Sequence, residues 1–231
     1  MSGITVRPLA GSDVADALEI LVDVFVADPS WQRVFRGRRI RPALTRYYRR
    51  CLQDLVPAGN ADGAWDARRL VGVALWYPPG QRPGGLIGRI TRLFSRRQRE
   101  HLRGWLLEGI AVAPDGRGQG TGGKLLTHRL AGCTDVVHLE ATTEASARLY
   151  ARFGFVAEPG QGEGDREGDR VRDRVRDRVG DRVRDRGRDR VGDRVRDRGR
   201  DRVGDRGAEH GGAPGAEHTG DLWMTRLPAA P

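Results

Sequence analysis

Lysine is nearly missing from this chain: Lys124 is the one lysine among 41 basic residues, and all the others are arginine. Cysteine is scarce as well. Cys51 and Cys133 lie far apart with no CxxC pattern, which argues against a disulfide framework or a cysteine metal site, and both read as reduced, buried thiols. No His, Asp and Glu grouping has metal-ligand spacing, so no metal is expected. Long apolar runs are absent too: none approaches the roughly 18 residues of a spanning helix. The opening MSGITVRPLAGSD has neither the basic nor the apolar stretch of a signal peptide. The expectation is a soluble, cytoplasmic protein with no membrane partner.

What is abundant is arginine, and the formal charge of +10 over 231 residues first points to nucleic acid. Residues 165 to 206 change that reading, because they hold 17 arginines with 12 acids and neutralise much of themselves. From Asp165 to Asp205 an aspartate recurs every fourth residue, and GDRVRDRGRDRV at 180–191 is repeated unchanged at 192–203. Valine is the only branched apolar residue in this stretch and no aromatic is present, so it has nothing with which to build a core or stack on bases. Interleaved aspartates also repel phosphate. Residues 160–219 are therefore expected to be a disordered, low-complexity insertion. Residues 1–159 and 220–231 form a single domain by this reading, a size at which roughly two thirds of the surface can be buried. Nucleic acid is not the expected partner, and a non-catalytic module that binds it through the arginine tract stands as one alternative.

Thr5–Arg7 opens as a strand, and Ser12 or Asp13 is placed to cap a helix carrying Val14, Leu18, Leu21 and Phe25 on one face. Pro42 starts a second helix with Leu44, Tyr48, Cys51 and Leu55. The run LVGVALWY at 70–77 predicts a strand, paired with one around Ala64–Asp66. A basic amphipathic helix is expected over about 85–100 from Leu86, Ile90 and Leu93. Beyond it, strands are predicted at Leu106–Ala113, Val136–Ala141, Phe155–Ala157 and Asp221–Leu227, with helices from the glycine loop to about Leu130 and over Thr143–Arg152. This alternation makes an α/β class chain with at least one parallel strand pair.

The segment Arg117-Gly118-Gln119-Gly120-Thr121-Gly122-Gly123-Lys124 carries the clearest chemistry. Glycines let backbone N–H groups approach an anion, and the positive end of the next helix favours one there. A P-loop reading fails at Leu125, where serine or threonine must reach magnesium. A dinucleotide fingerprint is met by Gly118, Gly120 and Gly123, with Glu140 near the distance of a ribose contact, so an NAD-dependent oxidoreductase is the second alternative.

Taken whole, VAPDGRGQGTGGKLL, LEATTEASARLYARFGF and the terminal LWMTRLP resemble the GNAT superfamily of N-acetyltransferases. GVALWYPPG and WLLEGIAV resemble strands of a subgroup similar to puromycin N-acetyltransferase. The resemblance implies a mixed central β-sheet flanked by helices, interrupted before its last strand, and acetyl-CoA as co-substrate for a small-molecule amine. RxxGxG, here Arg117, Gly120 and Gly122, then takes the pyrophosphate with the neighbouring Gly118, Gln119, Thr121 and Gly123. Backbone at Ile110, Ala111 and Val112 faces the pantetheine, on a strand that parts from its neighbour. Tyr150, four residues before Gly154, matches the tyrosine that protonates the departing thiolate. Ser146 stands where the family often has asparagine and is carried as a cofactor contact. Glu108 is the candidate base, since the subgroup often has glutamate there, while His138 reads as structural. Either a monomer or a homodimer is compatible with the chain.

Overall fold

The computed structural model describes residues 3–35, 39–82, 103–158 and 222–228. Seven strands form one sheet: β1 (Thr5–Pro8), β2 (Ala61–Asp66), β3 (Arg69–Tyr77), β4 (Trp105–Val112), β5 (Val137–Ala141), β6 (Val156–Ala157) and β7 (Leu222–Arg226). Their spatial order is β1-β2-β3-β4-β5-β7-β6. The β4–β5 pair is parallel and every other pair is antiparallel. The expected mixed α/β sheet with a parallel pair is thus present, and the last strand in sequence lies inside the sheet, between β5 and β6.

Each face has its own core because the strands alternate. On one face α1 (Val14–Phe25), α2 (Pro29–Phe35) and α3 (Ile40–Leu55) cover the sheet. Leu21, Leu44, Tyr48 and Leu52 pack there on Val73, Leu75, Leu106 and Ala111. On the other, α4 (Thr121–Leu130) and α5 (Glu144–Ala151) set Leu125, Leu126 and Tyr150 against Ala74, Trp76, Leu139 and Met224. Complete burial of one such leucine contributes about 2 kcal/mol. The stripe Leu44, Tyr48, Cys51 and Leu55 is buried as its spacing predicts, while Arg46, Arg49 and Arg50 stay exposed on the outer side of α3.

Three local expectations are corrected. Asp13 stands at the start of α1 but makes no side-chain cap to it; its carboxylate instead accepts from Ala10 N at 2.8 Å and pairs with Arg7 at 3.0 Å. That ties the end of β1 to the turn and holds the Asp13 carboxyl below its ordinary range: burial works against the shift and the Ala10 and Arg7 contacts outweigh it. Helix α2 was not anticipated, since its seven residues are too few to display a helical period. Both cysteines are free, but only Cys51 is buried and Cys133 is half-exposed. The helix expected over 85–100 and the tract at 160–219 lie outside the described residues. No helix among those described is long and apolar enough to cross a membrane.

Candidate active site

β4 and β5 run together for only three residue pairs, Trp105 with Val137, Leu106 with His138 and Leu107 with Leu139. From Glu108 onward β4 has no partner on that side, whereas Glu140 and Ala141 of β5 continue to pair with β7. The parallel strands therefore part, leaving the Ile110, Ala111 and Val112 backbone without a β5 ladder. This is the divergence the sequence resemblance implied.

On the opposite edge of β4 a second irregularity coincides with the parting. Leu75 faces Gly109 and Trp76 faces Leu107, so Glu108 is the extra residue of a β-bulge. The bulge breaks alternation and turns Glu108 and Gly109 to the same face. Glu108 accepts a hydrogen bond from the Tyr47 hydroxyl of α3. A Cβ on Gly109 would meet Phe25 at 3.1 Å, so the absence of a side chain there lets α1 close on the sheet. Burial raises the Glu108 carboxyl to about 7, against the lowering effect of Tyr47 and of the Arg82 cation. Although the residue keeps partial exposure, its carboxyl end is well desolvated.

Aromatic rings hold this corner in place. Tyr47 lies 5.2 Å from Trp31 and 5.1 Å from Tyr48, which stacks on Phe25 at 5.1 Å. Trp31 is carried by α2, whose start Asp28 caps by accepting from Ser30 N at 2.9 Å and Trp31 N at 3.3 Å. The other Asp28 oxygen accepts from Thr142 Oγ1 at 2.6 Å, fastening α2 to the end of β5. Sequence reasoning missed Tyr47, Asp28 and Thr142. Tyr47 adjoins a helical core stripe, which conceals it as packing, and the Asp28–Thr142 pair is 114 residues apart in the chain.

Tyr150 lies in the core of the other face. It is buried on α5 against Phe155 at 6.0 Å, and desolvation, with the Asp28 charge, pushes its phenol well above the ordinary tyrosine range. The phenol stays protonated at any physiological pH. α5 begins with Thr143 and Ser146 capping each other: Ser146 N donates to Thr143 Oγ1 at 3.1 Å and Thr143 N to Ser146 Oγ at 3.2 Å. The Ser146 hydroxyl also donates to Thr143 O at 2.7 Å, so the group carried forward as a cofactor contact here closes a helix cap. Gly154, at φ +82°, ends the turn after the helix in a conformation that favours glycine.

The glycine loop leaves β4 through a turn at Pro114–Gly116 and enters α4 at Gly120. Gly118 and Gly120 both have φ +74°, the left-handed region where any other residue is strained. Thr121 turns its hydroxyl inward to Gly116 O at 2.7 Å, Gln119 Nε2 donates to Asp115 O at 2.9 Å, and Arg117 Nε to Val112 O at 3.2 Å. These bonds brace the loop from within. They leave Thr121 only its backbone N–H for a ligand, together with those of Gly122 and Gly123, since the first turn of a helix has no internal acceptors for them. Lys124 N is bonded to Gly120 O at 3.0 Å, where the helical ladder begins. Gly122 and Gly123 are half-buried, with Leu149 and Phe153 of the α5 region beside them. Leu125 is fully buried, which puts it out of reach of any ligand at the loop and removes the P-loop reading.

His138 bonds Thr225 Oγ1 at 2.9 Å and lies 3.7 Å from Glu158, a structural contact between β5, β7 and the residue after β6. Among the described residues, no group of three or more His, Cys, Asp or Glu is arranged to hold a metal ion. The sheet also lacks the mostly parallel strand order of a dinucleotide fold, so the glycine pattern alone no longer supports NAD.

Residues 69–157 match the family model of the acetyltransferase (GNAT) domain. The match begins at β3 and ends at β6, enclosing the bulge, the parting, the glycine loop and Tyr150. No curated protein matches the chain. Among solved structures it aligns with histone acetyltransferase HPA2 and related acetyltransferase from Corynebacterium glutamicum, at 24% identity and TM-score 0.59 over 99% of this chain and 98% of that one. It also aligns with arylalkylamine N-acetyltransferase 7 of the yellow fever mosquito, at 16% identity and TM-score 0.55 over 72% and 80%. Arylalkylamine N-acetyltransferase 2 of Aedes aegypti aligns at 17% identity and TM-score 0.52 over 67% and 83%. At these identities the likeness shows the fold.

Proposed function

We propose that this protein is an acetyltransferase of the GNAT type and moves an acetyl group from acetyl-CoA to the primary amine of a small molecule, by direct attack with both substrates bound. The observation that carries the reading is the parting of β4 from β5 with Glu108 on one face, Tyr150 on the other and the glycine loop at the β4 end. Acetyl-CoA supplies an activated thioester. Backbone N–H groups of Gly118 to Gly123 and the start of α4 bind its pyrophosphate, beside Arg117. The unpaired β4 backbone at Ile110, Ala111 and Val112 binds the pantetheine arm and meets the negative charge that develops on the carbonyl oxygen. Glu108, with its carboxyl raised to about 7, is suited to take the ammonium proton near neutral pH. Tyr150 keeps its proton and gives it to the leaving sulfur.

The small-molecule acceptor is supported by the resemblance of GVALWYPPG and WLLEGIAV to the puromycin N-acetyltransferase subgroup and by the two structurally similar arylalkylamine N-acetyltransferases. The test is thiol release from acetyl-CoA with aminonucleosides, aminoglycosides, polyamines, arylalkylamines and peptide N-termini, alongside calorimetry with acetyl-CoA and NAD. The expected result is acetyl-CoA binding and turnover of at least one small amine. Heat on NAD without acetyl-CoA binding, or turnover of peptide N-termini alone, overturns it.

A further inference from the structure

We infer that Tyr47 is a positioning residue for acetyl transfer: by donating its hydroxyl to Glu108 it fixes the carboxylate at the bulge and leaves lone pairs free for the incoming ammonium proton. The inference rests on the reading of Glu108 as base. A carboxylate has about four lone-pair sites, and the Tyr47 bond occupies one. On a bulge, outside the ladder, Glu108 has no residue paired directly with it on β3 to set its rotamer. Tyr47 supplies that constraint from α3, and its own ring is clamped between Trp31 and Tyr48. The clamp continues through α2 to Asp28 and Thr142, so the Glu108 corner is braced by the strand next to Tyr150.

The electrostatic surroundings make the bond measurable. Among the described residues, those facing Glu108 are Tyr47, Tyr48 and Cys51 from α3, Tyr77 from β3 and Arg82 beyond it, while α1 brings the uncharged Phe25 to the neighbouring Gly109. Burial holds the three phenols and the thiol protonated and neutral. Among the described residues, the Tyr47 bond and the Arg82 cation favour the Glu108 carboxylate. Removing the hydroxyl therefore raises the pH at which Glu108 ionises.

The experiment follows the 13C resonance of the Glu108 carboxyl through a pH titration of the full chain, assigned by its loss in Glu108→Gln. The acid limb of kcat/KM is followed in parallel with acetyl-CoA and the fastest amine of the panel above. Tyr47→Phe keeps the ring between its neighbours, and melting checks its fold. It is expected to move both the midpoint and the acid limb upward by about one pH unit, which is about a tenfold loss of kcat/KM below the limb. Trp31→Leu, which leaves the hydroxyl but removes the ring beside it, shifts both less and in the same direction. Tyr48→Phe leaves both in place. An unmoved midpoint in Tyr47→Phe overturns the inference alone, as does an equal shift in Tyr48→Phe. A midpoint that moves while the limb stays, or a limb that survives Glu108→Gln, overturns the reading of Glu108 as base and this inference with it.

Discussion

At the residue scale, two buried acids lie on opposite faces of the sheet. Glu108 is a carboxyl pushed up by burial and Tyr150 a phenol pushed up by burial, so the same physical cause suits one to the proposed role of base near neutrality and the other to that of proton donor. kcat/KM is expected to rise as pH increases through about 7, because Glu108 must lose its proton before it accepts another. Tyr150→Phe preserves the packing on Phe155 and removes only the hydroxyl; kcat is expected to fall about 10²-fold with acetyl-CoA affinity nearly unchanged, as single-turnover and binding measurements separate. Glu108 also bears on stability. Its folded carboxyl binds a proton more tightly than the unfolded one, so between about 4.5 and 7 the folded state holds the extra proton and stability falls as pH rises. Glu108→Gln is therefore expected to be inactive yet more stable than the parent above pH 8 by about 1–3 kcal/mol, read from urea unfolding at pH 5 and 8.

Elements act here through their ends and irregularities. The bulge in β4 lies where β4 leaves β5, and Gly122 at the start of α4 lies beside Ile110 and Val112 of that stretch and Leu149 of α5. Gly120→Ala forces a side chain into φ +74° at the entry to α4. The expected outcome is about a tenfold weaker acetyl-CoA affinity by calorimetry, with about 1 kcal/mol lost in unfolding. Far from this stretch, the last turn of α4 is anchored to β2: Arg129 reaches Asp62 through two bonds of 3.0 and 2.8 Å, and Asp62 has no exposed surface. Arg129→Ala leaves a buried carboxylate whose remaining ion-pair neighbour among the described residues is His128, at 3.8 Å. A loss of about 3 kcal/mol in urea unfolding is expected, because the desolvated charge remains after its partner is gone.

At the scale of the whole molecule, β6 and β7 are antiparallel neighbours, with Val156 opposite Thr225 and Ala157 opposite Met224, and Glu158 N bonded to Trp223 O at 3.0 Å. A short turn can join such strands. Replacing residues 160–219 by a few glycine and asparagine residues is expected to leave the melting temperature and acetyl-CoA binding within error of the full chain; an unfolded product overturns the reading of this tract as an insertion. Much of the domain was legible in the sequence because its signals are local. A helical stripe such as Leu44 to Leu55, a left-handed glycine before a helix, and a tyrosine four residues from Gly154 each express a backbone constraint within a few positions. Those features determined the strand and helix order, the glycine turn before α4 and the candidate proton donor. Tertiary structure alone decided the Tyr47–Glu108 bond across 61 residues, the Asp62–Arg129 pair across 67, the Asp28–Thr142 tie and the place of β7 inside the sheet. Such contacts leave no periodic trace, because they depend on how separate faces of the chain are brought together and dried by packing, which no short window of residues specifies.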